Sequence, residues 1–186
     1  VFMNRSLKIA LIQADLVWQN SKQNRINFLE KINYLTETVD LIVLPEMFTT
    51  GFSMQPQKIA EYMVGDTIKW MQQIATEKNT AICGSVIISE DKNFYNRFIF
   101  VHPAGKIEYY NKRHLFSLAG EHTVYTRGEE KVIIHYKDWK IFPLVCYDLR
   151  FPVWSRNVEN YDVLIYVANW PKPRISAWDT LLKARS

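Results

Sequence analysis

The amino-acid sequence predicts an α/β fold in which helices lie over sheet. Three patterns point to it. Short, continuously apolar runs recur along the chain, as they do in strands covered by other elements. In the first half these runs alternate with segments whose apolar residues return every three or four positions. Further on, paired strand-like runs flank tight-turn residues, which is the signature of hairpins. Alternating strands and helices with added hairpins pack as layers around one core.

The elements follow in order. Residues 7–16 read as a buried strand that ends near Asp15, and Ser21 is placed to cap the helix that follows. Ile26, Leu29, Ile32, Leu35 and Val39 give that helix one apolar stripe. Residues 41–44 form a short buried strand, and Pro45 stops its ladder because it has no N–H to donate. Asp66 or Thr67 caps a second helix with Ile68, Met71, Ile74 and Ala75 on one face. Residues 80–88 make a third buried strand. Residues 95–101 and 106–110 flank the turn His102-Pro103-Ala104-Gly105, and residues 132–136 and 139–145 flank Lys137-Asp138. Residues 162–167 are a β-branched strand, and a helix starts at Arg174.

The 186 residues suit a single domain spanning 1–186. Ten Phe, ten Tyr and six Trp exclude disorder, and two cysteines exclude a disulfide scaffold. Both cysteines lie in apolar runs, which suits a reducing compartment, and no signal peptide is evident, so a cytoplasmic protein is expected. The sequon Asn4-Arg5-Ser6 then reads as chance. No apolar run has the roughly 20 residues that cross a bilayer, so no membrane partner is expected. The net charge of +4 is scattered, densest near Lys112-Arg113-His114, and gives little support to nucleic-acid binding. No metal-ligand spacing, phosphate loop or dinucleotide fingerprint is present, and no cofactor is expected.

Three residues carry candidate chemistry. Glu46 follows the strand of residues 41–44 in Leu-Pro-Glu-Met-Phe, where poor solvation would suit it to proton transfer; an acid in a water-facing turn is the alternative. Cys146 ends the strand of residues 141–145, where layered folds present ligand-binding groups. The turn after it offers backbone N–H groups to an oxyanion, and a small buried apolar residue is the alternative. Cys83, in mid-strand, reads as such a residue. Lys112 stands just past the strand of residues 106–110, placed either to stabilise an oxyanion or on a basic surface. A Cys–His pair would need His114 or His122 to meet Cys146.

Leu-Pro-Glu-Met-Phe, Tyr-Asn-Lys-Arg-His-Leu-Phe and Leu-Val-Cys-Tyr-Asp-Leu-Arg-Phe-Pro, in that order, resemble the three motif blocks of the carbon–nitrogen hydrolase (nitrilase) superfamily. With Gly-Glu-His and Tyr-Val-Ala-Asn-Trp-Pro, the wording is similar to one branch, the bacterial omega-amidases or 2-oxoglutaramate amidases. The resemblance spans residues 7–185. It implies a four-layer α-β-β-α sandwich, no metal or organic cofactor, a homodimer, and a Glu46–Lys112–Cys146 triad. It further implies oxyanion contacts from Lys112 and the backbone N–H of Tyr147, and a second glutamate, Glu121, that orients Lys112 or the attacking water. The implied substrate is a small omega-amido acid such as 2-oxoglutaramate, hydrolysed to the dicarboxylate and ammonia through a thioester. Its carboxylate calls for a cation, with Arg150 and Arg113 as candidates and Trp170 as a wall. A structural ion pair is the competing role for Arg150, and core packing for Trp170. Members of the family run on beyond the position of Ser186, so the domain is expected to lack its C-terminal strands and to expose a sheet edge.

The competing functions are a carbamoylase or aliphatic amidase with the same triad, an inactive truncated product, a Cys–His hydrolase, and a nucleic-acid binder.

Overall fold

The computed structural model describes residues 6–186, so the sequon at Asn4 begins outside the described residues. Two sheets face each other. The larger holds β1 (Ile9–Leu11), β2 (Leu41–Val43), β3 (Ala81–Glu90), β4 (Asn93–Val101) and β5 (Ile107–Asn111) in sequential order. Its first three strands are parallel, and the two hairpins then make β4 and β5 antiparallel. The smaller holds β6 (Ile134–Tyr136) antiparallel to β7 (Trp139–Val145), with β8 (Val163–Val167) parallel to β7.

The pleat explains the layering. In β2 and β3, Leu41, Val43, Ala81 and Cys83 point inward to Ile134, Ile141, Ile165 and Val167 of the smaller sheet. Their neighbours Ile42 and Ile82 point outward to α1 (Ser21–Asn33) and α3 (Asp66–Lys78), where Phe28, Ile32, Ile68, Met71 and Ile74 complete a second core. Strands buried on both faces leave no polar alternation in the sequence, which is why they read as unbroken apolar runs.

Several details depart from the sequence-level expectation. The first strand covers only Ile9–Leu11, with Leu11 already 77% exposed; the Ile12 N–H still pairs with Val43 O at 3.0 Å. Asn20, not Ser21, caps α1, its side chain accepting from the Gln23 N–H at 3.0 Å. The buried face of α1 is Asn24, Phe28 and Ile32, while Ile26 is exposed and the helix ends before Leu35. Asn24 is the reason: its amide bonds Val17 O and Thr49 O and turns the helix by that side toward the core. Gly65 takes the N-cap position of α3 ahead of Asp66 and Thr67. A short α2 (Pro56–Ile59) lies between, and the β3–β4 hairpin turns through Asp91 and Lys92 at positive φ without a glycine. The turn at Lys137-Asp138 and the final helix, α5 (Ile175–Arg185), lie where expected.

Two features position the site. Gly84 in β3 lets the segment after β2 lie close: a Cβ there would meet Leu44 Cβ at 2.9 Å and Phe48 Cδ1 at 3.0 Å. The segment after β5 is held in turn by Gly128, whose N–H bonds Lys112 O at 2.9 Å and where a Cβ would lie 2.1 Å from Asn111 O. Among the described residues no helix is long and apolar enough to cross a membrane.

Candidate active site

Glu46, Lys112 and Cys146 come from three separate strand ends and meet in the interior. Glu46 follows β2, Lys112 follows β5 and Cys146 follows β7. Cys146 stands at φ +46°, and Met47, next to Glu46, at φ +43°. Such left-handed backbone is costly for residues with a Cβ and marks places where the surrounding structure holds the chain in a set shape.

The cluster is nearly dry. Glu46 and Glu121 are 0% exposed, Lys112 1% and Cys146 9%. Glu121 opens a short helix, α4 (Glu121–Val124). Lys112 Nζ donates to Glu46 Oε1 at 2.9 Å and to Glu121 Oε1 and Oε2 at 3.1 and 2.9 Å. One ammonium therefore bridges two buried carboxylates. Asn96 bridges them again, its Nδ2 donating to Glu46 Oε1 at 2.8 Å and to Glu121 Oε1 at 3.2 Å. Its own oxygen takes the Ser85 hydroxyl at 2.8 Å, and Ser85 Oγ accepts the Met47 N–H at 2.8 Å. The backbone N–H groups of Asn169 and Phe116 reach Glu46 Oε2 and Glu121 Oε2 at 2.8 and 2.6 Å.

Charge and burial then act on the titrating groups. Burial pulls the Lys112 ammonium down, but the neighbouring charges, Glu46 and then Glu121 first among them, outweigh it and hold it above the ordinary lysine range. Glu121 is raised from the usual carboxyl range by burial first; Lys112 pulls the other way and Glu46 adds to the rise. Burial, then the neighbouring Glu46 charge, push the Cys146 thiol well up, and Lys112 opposes them. The site thus places a thiol whose proton burial retains beside the Glu46 side chain, with the Lys112 ammonium at hand.

Cys146 opens onto a cavity of about 510 Å³ lined by Phe52, Phe116, Tyr147, Asn169 and Trp170 among others, with Arg150 and Arg174 on its wall. The Arg150 guanidinium lies 5.4 Å from the Trp170 ring, and that of Arg174 5.1 Å from the Phe116 ring. Trp170 is half-buried and its Nε1 donates to Arg174 O at 2.8 Å, so it serves as cavity wall and as a tie for the next loop. Arg113 is not among the cavity-lining residues; it donates to Gly128 O at 3.0 Å and lies over Trp154. His114 gives its Nδ1 to Asp148, and His122 is exposed on α4, so neither expectation of a Cys–His pair is met. Cys83 is fully buried, as read from its place in mid-strand.

Asn96, Ser85, Asn169 and Arg174 are missed at the level of sequence. Asn96 and Ser85 leave a trace there as polar residues inside otherwise apolar strands, and Asn169 lies within the quoted Tyr-Val-Ala-Asn-Trp-Pro segment without being singled out.

No group of three or more His, Cys, Asp or Glu among the described residues is arranged to hold a metal ion. Residues 8–186 match the carbon-nitrogen hydrolase family. The chain is 46% identical over 180 residues to the omega-amidase YafV of Escherichia coli (strain K12), covering 97% of this chain and 70% of that protein. It is 30% identical over 187 residues to a 2-oxoglutaramate amidase of Bacillus subtilis (strain 168), covering 96% and 71%. Among solved structures it is similar to XC1258 of Xanthomonas campestris, a CN-hydrolase superfamily protein with an arsenic adduct in its active site. That similarity has a TM-score of 0.93 and 41% identity, over 96% of this chain and 71% of the other. With that fold and those relatives, the chain belongs to the carbon-nitrogen hydrolase family, enzymes that hydrolyse amide C–N bonds.

Proposed function

We propose that the chain is an omega-amidase with Cys146 as nucleophile, Glu46 as general base and acid, and Lys112 as the oxyanion partner. The observation that carries this is the buried Glu46–Lys112–Cys146 cluster, from which Cys146 opens onto a cavity of about 510 Å³. Glu46 takes the Sγ proton as the sulfur attacks the amide carbonyl carbon. The oxygen becomes an oxyanion, held by the Lys112 ammonium and the Tyr147 backbone N–H. The C–N bond then breaks, Glu46 returns its proton to nitrogen, and ammonia leaves a thioester. Glu46 deprotonates a water that attacks the thioester, the C–S bond breaks, and the thiolate recovers the proton as the carboxylate product departs. Glu121 holds Lys112 in place from the far side through two hydrogen bonds.

The substrate class follows from the wall. Aromatic rings with two guanidiniums, Arg150 and Arg174, fit a short chain that ends in a carboxylate at the cavity mouth and an amide at Cys146. The relatives named for omega-amidase and 2-oxoglutaramate amidase support a small omega-amido acid such as 2-oxoglutaramate. The test is ammonia release from 2-oxoglutaramate, with Cys146→Ala as the paired control. Release that vanishes in the control is expected. Release that persists in it, or none from folded parent enzyme, overturns the proposal.

A further inference from the structure

Outside the proton-transfer cluster lies a second buried network, centred on Asp148. This carboxylate is 0% exposed and sits two residues after the nucleophile. Oδ2 accepts from the Val145 N–H at 3.0 Å and the Tyr110 hydroxyl at 2.8 Å. Oδ1 accepts from the His114 backbone N–H at 2.9 Å, and His114 Nδ1 lies 2.7 Å from it. The side chain therefore reaches back across Cys146 to the residue before it, closing a ring around the strained position at φ +46°.

The hydrogen count fixes how this network works. The Tyr110 hydroxyl accepts from the Arg113 N–H at 3.0 Å and from Trp154 Nε1 at 3.1 Å. Both neighbours are obligate donors, so the hydroxyl's own proton goes to Asp148. Burial first, and the Asp148 charge next, push the Tyr110 phenol well above its ordinary range, so it stays a donor. Val145 N–H and His114 N–H are obligate donors too. Each oxygen of Asp148 therefore faces at least one obligate donor and must accept from it.

The partners come from the lysine's side of the site. Tyr110 lies in β5 and Lys112 two residues on, a spacing that puts both side chains on one face of an extended chain; both are 1% exposed. His114 is two residues further, its ring stacked on Phe151 at 3.7 Å and 7°. The turn that presents Cys146 is thus tied directly to the segment that presents Lys112.

We propose that Asp148 is a positioning residue, locking the Cys146 turn to the Lys112-bearing segment after β5 and so setting the thiol against its proton acceptor and its cation. The proposal rests on the amidase reading for its catalytic meaning, but its geometric content is tested separately. An Asn at 148 keeps the shape and fails the hydrogen count: either flip of its amide turns an NH2 toward Val145 N–H or His114 N–H. The experiment measures kcat and KM for ammonia release and, in parallel, alkylation of Cys146 by iodoacetamide near neutral pH. Peptide mass spectrometry separates Cys146 from Cys83.

For Asp148→Asn, kcat is expected to fall about a hundredfold with KM held within about twofold, since small misplacements of reacting groups have that effect. Alkylation is expected to slow about tenfold, as the thiol leaves its proton acceptor. Alkylation at the parental rate in folded variant overturns the proposal, whatever happens to the melting temperature, because a purely stabilising role leaves the thiol's reactivity unmoved. If Asp148→Asn does not fold, Tyr110→Phe decides: it removes one donor and should slow alkylation about fivefold, and a parental rate overturns the proposal. Parent enzyme that is alkylated at Cys146 but releases no ammonia sinks the substrate reading and leaves the positioning proposal to be judged by alkylation.

Discussion

Replacing Lys112 by Met tests the electrostatics of the site most directly. The methionine fills most of the lysine's volume and removes one charge. Three hydrogen bonds of 2.9–3.1 Å disappear, and Glu46 and Glu121, both 0% exposed, lose the cation they share. What remains is Asn96 between them and one backbone N–H on each. Breaking a buried pair by removing one partner destabilises by about 3–5 kcal/mol, set against a total stability of about 5–15 kcal/mol. The loss has a pH signature. Glu121 is already raised above 4.5 by burial, and Lys112 is the main influence pulling it down. Without Lys112 the folded variant keeps a proton that the unfolded chain gives up near 4.5. Each pH unit from there to the folded pKa then costs about 1.4 kcal/mol. Because Glu121 is already raised in the parent, the difference between the two proteins opens only above the parent's folded pKa, so it should be smaller near pH 5 than near pH 7.5, where it reaches about 3–5 kcal/mol. Urea unfolding at the two pH values measures it, and ammonia release should be lost at both. A difference that is the same at both pH values, or a variant as stable as the parent near pH 7.5, would refute the buried ion-pair argument.

The other predictions concern the same interior. Glu46→Gln removes the proton acceptor while keeping the shape, and ammonia release should fall about 10²–10⁴-fold; either flip of its amide turns an NH2 toward the Lys112 ammonium or the Asn169 N–H, so the melting temperature should fall as well. Asn96→Asp places a third carboxylate against two that Asn96 now contacts at 2.8 and 3.2 Å. Like charges resist joint ionisation, so its melting temperature should drop more steeply than the parent's as pH rises from about 5 to 8. Gly128→Ala puts a methyl 2.1 Å from Asn111 O, beside the lysine. It should lower stability by about 1–3 kcal/mol by urea unfolding, and turnover with it.

The two strand ends that carry the proposed chemistry are legible because they obey local rules. A continuous apolar run followed by Pro45-Glu46, and another followed by Cys146, place a reactive group where a parallel strand stops, and parallel strands deliver their ligand-binding residues at that end. The hairpins at residues 102–105 and 137–138 were legible for the same reason, since turn chemistry is local. The face of α1 was not. Its apolar stripe included Ile26, which is 41% exposed, while Asn24, 1% exposed, faces inward. Periodicity counts apolar residues, and here a polar side chain with two backbone carbonyls to satisfy decided the orientation.

The same distinction runs through the site. Glu46, Lys112 and Cys146 each stand at the end of a strand, but Asn96 and Asp148 are read only once strands distant in sequence are paired. Asn96 acts across 50 residues to Glu46, and Asp148 across 38 to Tyr110. Each is buried, and each has a donor or acceptor count that only its tertiary partners complete. Asn96 distributes donors to two carboxylates, and Asp148 supplies acceptors to the donors around the nucleophile turn. A buried polar residue inside an apolar strand or an apolar turn is costly unless such a count closes. Its presence in a sequence therefore signals that partners exist, even where it does not name them. In this chain, Ser85 and Asn96 are such signals within β3 and β4, and both lead to Glu46, through the Met47 N–H and through the carboxylate itself.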